Sequence, residues 1–307
     1  MTSTSRHIPV MLNEVLESIA PKDNEVYIDA TFGNGGYSEA ILKSANCKVI
    51  AIDRDPSVLT RVNEIKEKYG DRFEFVAGAF GDIEELIKTK VNGVVFDIGV
   101  SSMQLDDGYR GFSFNKEAML DMRMSMSGKS AKDIINQTPE TELADLIYMY
   151  GEEKKSRQIA HKIIEARKIK EIETTTELAE IIYSVNPKRF GQIDPATRTF
   201  QAIRIAVNDE LSQLEKGLFG ASNVVLEDGR IVVVTFHSLE DKIAKKFFTE
   251  NSPKRTHVSK YKESSTTMGD EIFSFASKAI LPTKQESDIN PRSRSAKLRY
   301  AIKRRGK

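Results

Sequence analysis

Three aspartates, Asp29, Asp53 and Asp97, each end a run of β-branched and aromatic residues. Three glycines, Gly33, Gly35 and Gly36, stand between the first two. Those residue types suggest ligand binding by backbone and carboxylate together. A glycine turn that opens a helix lets a ligand touch main-chain N–H groups. An acid closing the next strand can hold both hydroxyls of a ribose, which is the expected work of Asp53. A dinucleotide site would want Gly-x-Gly-x-x-Gly, but Ser38 occupies the third glycine position. Asp29 also precedes Gly33 by four residues, where a carboxylate would repel a diphosphate.

A ligand with a cationic end would meet no such objection. S-adenosyl-L-methionine has a sulfonium, an ammonium and no phosphate. Asp-x-x-x-Gly-x-Gly with an acid ending the following strand is the usual pattern of class I methyltransferases. Chance helix caps could supply one or two acids at strand ends. A cleft for a cationic cofactor accounts for all three.

The elements that must position these residues follow from periodicity. Val26–Ile28, Lys48–Ile52, Phe73–Val76 and Gly93–Phe96 read as short buried strands, with helices between them. In a doubly wound sheet the carboxyl ends of such strands line one crevice. Phe80, just beyond the third strand, is placed either against an adenine ring or in the core. The polar, glycine-bearing stretch 99–114 has neither helical nor strand period, and a loop of that length is commonly functional. The methionines of 119–124 suit packing better than ligation.

From about Ser130 the pattern turns helical. Thr138-Pro139 reads as an N-cap with proline at the first helical position. Thr174 and Glu177 make a capping box. Phe200, Ile203, Val207, Leu211, Leu214 and Leu218 form one apolar stripe. Arg198, Gln201 and Arg204 lie on another ridge with Asn208, where two arginines suit phosphate and base edges better than a generic Lys/Glu face. Residues 229–236 form a clear buried strand, and His237 caps it at the same rim as the acids. A histidine at a strand end is usually structural, so it ranks behind the others as a substrate contact. Ala279–Leu281 and Lys297–Ile302 read as a closing pair of strands. The expected fold is α/β: a class I methyltransferase, Rossmann-like, with a seven-stranded, mostly parallel sheet and an inserted all-helical domain. The expected boundaries are 1–108 and 197–307 for the methyltransferase domain and 109–196 for the insert.

Bulk composition agrees with an ordinary globular protein: 39% hydrophobic and 30% charged residues in 307. A single cysteine, Cys47, excludes an internal disulfide, and four scattered histidines show no metal cluster. No apolar run approaches transmembrane length and no signal-peptide core opens the chain, so a cytoplasmic protein is expected. The net charge of +1 says little. Residues 289–307, however, carry eight Lys or Arg and no acid. Such an end could hold a phosphate backbone, or simply be a solvated terminus.

Longer stretches carry a resemblance. Residues 7–12, 29–36, 51–56, 97–102, 104–106, 110–114, 120–124, 150–153, 195–201 and 236–241 resemble the MraW-type family of ribosomal RNA small subunit methyltransferases. The resemblance runs from about residue 7 to 300. It implies methyl transfer from S-adenosyl-L-methionine to the exocyclic N4 of a decoding-centre cytosine in the 16S rRNA of the small ribosomal subunit. It places cofactor contacts on Gly35, Gly36, Tyr37, Asp53, Phe80, Asp97 and Gln104. Tyr37 stands where histidine is frequent, and Met103 where proline is. Asp97 is then the expected anchor for the cofactor or the target amine, and such chemistry calls for no metal. The oligomeric state stays open, a homodimer among the alternatives. Two rivals remain: a nicotinamide-dependent oxidoreductase on the same sheet, and an RNA-binding factor that makes no product.

Overall fold

A computed structural model describes residues 9–101, 104, 108–114, 116–253 and 271–306. The chain folds into two compact units, Met1–Gly99 with Leu211–Lys307, and Val100–Glu210. His7, Ile8, Met103 and residues 254–270 lie outside the described residues.

The first unit is built on a seven-stranded sheet in the order β3-β2-β1-β4-β5-β7-β6. The strands are β1 Val26–Asp29, β2 Lys48–Asp53, β3 Phe73–Ala77, β4 Val91–Asp97, β5 Val225–Thr235, β6 Phe273–Ala276 and β7 Lys297–Lys303. β1 to β5 pair in parallel, and β7 runs antiparallel between β5 and β6. Both faces of a central strand are covered, so the middle of β4 and β5 is continuously apolar. Val94, Val95, Phe96, Ile231, Val232, Val233 and Val234 are all fully buried. Strand order reverses between β1 and β4. Ligands of such sheets bind at the carboxyl ends beside that switch point, where Asp29 and Asp97 end their strands.

The closing pair differs from the expected one. Ala279–Leu281 contributes only an isolated bridge, Ile280 to Leu298. The partner of β7 is β6, because Phe273 is fully buried and packs edge-on against Phe247 and Phe248. Its two phenylalanines flank Ser274 at the end of a polar stretch, which hid the strand. Cys47 is buried in the core.

The second unit is helical: Ala131–Gln137, Glu140–Gly151, Ser156–Ile169, Thr175–Val185 and Ala196–Asn208. Its core gathers Ile135, Leu143, Ile147, Ile159, Ile163, Leu178, Ile182, Phe200 and Ile203 around the buried Met122 and Met124. The capping box of Thr174 and Glu177 is present. Thr138 is not the cap of the next helix; that place is taken by Pro139, and Thr138 closes the preceding helix with its N–H on Ile134 O. Gly151 allows the helix Glu140–Gly151 to approach Ala196–Asn208, since a Cβ there would lie 2.5 Å from Arg198 O.

The long apolar stripe is broken. Asp209 adopts a left-handed conformation, φ 51°, and ends one helix before Glu210–Val224 begins. Phe200 and Ile203 therefore serve the helical core, and Leu214 and Leu218 the sheet core. The second unit accordingly reaches Glu210, where the sequence pattern places its boundary at 196, and it starts at Val100 rather than 109.

Candidate cofactor and methyl-transfer site

The glycine turn joins β1 to the helix Gly36–Ser44. Gly33 and Gly35 have φ of 51° and 70°, a region that glycine enters without steric cost. A Cβ on Gly35 would lie 2.5 Å from Ile65 Cδ1, and one on Gly36 would overlap Pro9 Cγ. The turn is thus packed tightly from both sides.

Asp29 is fully buried, and its Oδ2 accepts from Ser38 N at 3.0 Å and Ser38 Oγ at 2.7 Å. Ser38 therefore has its own reason to stand where a dinucleotide fold has glycine: it ties the helix to the end of β1. Burial pushes the Asp29 carboxyl up to about 6, against the pull of these hydrogen bonds and with help from the charge on Asp53. Asp29 works as a tether for the helix N-terminus. Sequence reasoning gave it a role toward the ligand and missed Ser38. The signal was a serine at a glycine position downstream of an acid.

Asp53 ends β2 and turns both oxygens toward the loops. Oδ2 accepts from Gly33 N at 2.8 Å, and Oδ1 from Asp55 N at 2.9 Å. Burial raises its carboxyl above the usual range, partly offset by those two N–H groups. Each carboxylate oxygen has a second lone pair, so the pair can still accept from ribose hydroxyls. Tyr37 is buried and its hydroxyl donates to Val10 O, so only its main chain faces the turn. Phe80 is half-buried and packs edge-on against Phe96, ring centroids 5.8 Å apart. Phe80 packs against the sheet core and stays partly exposed.

Asp97 ends β4. Its N–H donates to Thr31 Oγ1 at 2.7 Å, which aligns the end of β4 with β1. Its Oδ1 is buried and has no hydrogen-bond partner. Burial pushes the carboxyl up to about 7, and the charges of Asp29 and Glu240 add to the rise. A buried acceptor without a donor is costly unless something else supplies one.

His237 follows β5 and begins the helix Ser238–Glu250. Its Nε2 lies 2.8 Å from Oε1 of Glu240, which is fully buried. Glu240 Oε2 also accepts from Phe236 N at 2.8 Å. Glu240 was missed as a site neighbour, although the spacing His237-x-x-Glu240 is a capping signal. The electrostatic chain Asp53, Asp29, Asp97, Glu240 runs along the carboxyl rim of the sheet. The fit to a cationic cofactor is carried by that rim and by the orphaned Asp97 Oδ1.

The remaining candidates lie in the second unit. Gln104 is 5% exposed and folds back on Ser101, with Oε1 accepting from Ser101 N at 3.0 Å. Gln201 donates to Tyr150 O at 3.0 Å. Arg204 is held in a two-pronged ion pair with the buried Glu210, at 2.8 and 2.9 Å, so its guanidinium is an internal brace. Arg198 is exposed, 3.5 Å from Glu152 O. The basic C-terminal stretch is also largely committed to its own unit. Arg299 pairs with Asp241, Lys303 donates to Ser222 O and Val225 O, Arg304 pairs with Glu271, and Arg305 with Asp228.

The MraW methylase family model matches residues 4–304. This chain belongs to the MraW methylase family. The methylase is 53% identical to ribosomal RNA small subunit methyltransferase H of Rickettsia massiliae, over 96% of this chain and 97% of that one. It is 51% identical to the protein of the same name from Rickettsia felis, over 97% and 98%. A solved rRNA methylase from Streptococcus thermophilus aligns with 97% of this chain and 99% of its own, at 11% identity and a TM-score of 0.43. The cofactor of the methylase is S-adenosyl-L-methionine. No helix among the described residues is long and apolar enough to cross a membrane.

Proposed function

We propose that the chain methylates the exocyclic N4 of a decoding-centre cytosine in the 16S rRNA of the small ribosomal subunit. The family and the relatives' shared name support an rRNA substrate; the cytosine amine is what the family resemblance of residues 7 to 300 implies. The observation that carries the reading is Asp97 Oδ1, a desolvated acceptor with no partner of its own. When bound, S-adenosyl-L-methionine supplies an electrophilic methyl group on a sulfonium.

The chain's own residues then have three tasks. Gly33, Gly35 and Gly36 bring backbone close to the ligand at a helix start. Asp53 holds the ribose hydroxyls and Phe80 lies against the adenine. Asp97 accepts from the target amine. A cytosine amino nitrogen is a poor nucleophile because its lone pair is delocalised into the ring. An acceptor on its N–H draws the nitrogen toward tetrahedral geometry and frees the pair. Holding the reactants in line is worth roughly 7–11 kcal/mol in favourable cases. The base must leave its stack to reach such a rim, so a flipped or single-stranded cytosine is the expected substrate form.

The test is direct. Under-methylated small subunits are incubated with the protein and labelled cofactor, digested, and their nucleosides separated. Label in N4-methylcytidine is the expected result; label in any other nucleoside refutes the assigned atom. Calorimetric titration with NADH and with S-adenosyl-L-methionine separates the oxidoreductase alternative.

A further inference from the structure

In the second unit, the segment between the helices Thr175–Val185 and Ala196–Asn208 reads Asn186-Pro187-Lys188-Arg189-Phe190-Gly191-Gln192-Ile193-Asp194-Pro195. Its tip shows an unusual combination. Phe190 is fully exposed, at 108% of its reference area, and Ile193 is 80% exposed. Arg189 beside them is exposed, and its guanidinium has no hydrogen-bond or ion-pair partner among the described residues. Large apolar side chains grouped in water mark a contact surface more often than chance.

The segment is nevertheless well braced at its base. Tyr183 Oη donates to both carboxylate oxygens of Asp194, at 3.0 and 3.2 Å. Lys188 Nζ lies 3.1 Å from the same carboxylate and 4.3 Å from the centre of the Tyr183 ring. Asp194 also accepts from Ala196 N, at the first residue of the next helix, at 2.9 Å. The tip closes with Gln192 N on Arg189 O, and Gly191 takes φ 74° with open space around it. A braced loop that displays an aromatic ring and an unpaired guanidinium is pre-organised for a partner and has little ordering entropy left to lose.

We propose that this tip is a stacking contact for single-stranded rRNA. An unpaired base stacks on Phe190, and Arg189 holds a flanking phosphate. An aromatic next to a cation is the arrangement that recognises unstacked nucleotides, since every base has a π-face and every linkage a negative charge. The inference rests on the rRNA reading above, and names a contact for that substrate carried by the second unit.

The chain contains no tryptophan, so Phe190→Trp introduces a unique fluorophore at the tip. The expected result is quenching on addition of a single-stranded fragment of small-subunit rRNA, reversed by high salt. In methylation assays Phe190→Ala should raise KM for the small subunit about tenfold, within the range of lost base stacking. It should leave kcat and S-adenosyl-L-methionine affinity unchanged, and Phe190→Tyr should restore KM. Unquenched fluorescence with unchanged KM, while label still reaches cytosine, overturns the contact and leaves the methylation reading standing. Quenching that follows protein concentration without RNA also overturns it, in favour of a second copy of this chain. If wild type labels no nucleoside, the methylation reading fails, and quenching by RNA alone decides the contact.

Discussion

Replacing Asp97 by asparagine should slow methyl transfer, because a neutral amide oxygen is a weaker acceptor than a carboxylate, and at the same time stabilise the fold. The Asp97 carboxyl is pushed from an ordinary 3.8 up to about 7, first by burial and then by the charges of Asp29 and Glu240. Below about pH 4 the carboxyl is protonated in both the folded and the unfolded chain, and it favours neither. Between about pH 4 and 7 the folded state holds a proton that the unfolded chain has released, so stability falls as pH rises. Above 7 both states are ionised and the penalty is complete. A rise from 3.8 to about 7 corresponds to about 4 kcal/mol at most, and solvent at the rim reduces it to roughly 2–3 kcal/mol. The amide of the Asp97→Asn variant carries no charge to desolvate. The variant should therefore match wild type near pH 4, gain steadily to pH 7, and level off with a melting temperature roughly 5 °C higher. Urea unfolding at pH 4, 6 and 8 measures the difference, and the nucleoside assay measures turnover. Equal gains at pH 4 and 8, or no gain at pH 8, would refute the desolvation argument. Full methylation by the variant would show that the charge of Asp97 is not needed for the chemistry, and full methylation by Asp97→Ala would remove the residue from it. In wild type, kcat/KM should rise with pH through about 7, because the ionised carboxylate is the stronger acceptor for the amine.

Three further outcomes are expected. Ser38→Ala removes the hydroxyl hydrogen bond to buried Asp29 and keeps the main-chain one, and should lower stability by about 1–3 kcal/mol at pH 8, with the loss shrinking in acid as Asp29 is protonated; a pH-independent loss would mean that Ser38 acts by packing. Arg204→Ala strands the buried Glu210 carboxylate and should destabilise by about 3–5 kcal/mol, whereas Arg198→Ala should change the melting temperature little. If Arg204→Ala left stability intact and only weakened RNA binding, the brace would be misassigned. Phe273→Ala should cost about 3–5 kcal/mol in chemical denaturation, and a loss below about 1 kcal/mol would contradict its place between Phe247 and Phe248.

Strands that end in aspartate were readable because burial on both faces writes an unbroken apolar run. A polar residue that stops such a run marks the rim. The Gly33–Gly36 turn was equally plain, since its backbone angles admit few other residues. What lay beyond reach depended on which side chain meets which. Ser38 and Asp29 are nine residues apart, and nothing local says that the serine hydroxyl closes on the carboxylate. The apolar spacing from Phe200 to Leu218 continues as if one helix ran through, because periodicity does not register the single left-handed residue, Asp209, that divides it between two cores. Phe273 looked like part of a polar stretch until Phe247 and Phe248 were seen to surround it. Arg204 and the C-terminal cations illustrate the same limit. A charge in sequence is free until the fold supplies a counter-ion, and here the fold supplies Glu210, Asp241, Glu271 and Asp228. Composition and period thus determined the sheet, the turn and the acid-lined rim, while long-range pairing decided which polar groups are satisfied inside the protein. It left Asp97 Oδ1 and the Arg189–Phe190 tip for something else to meet.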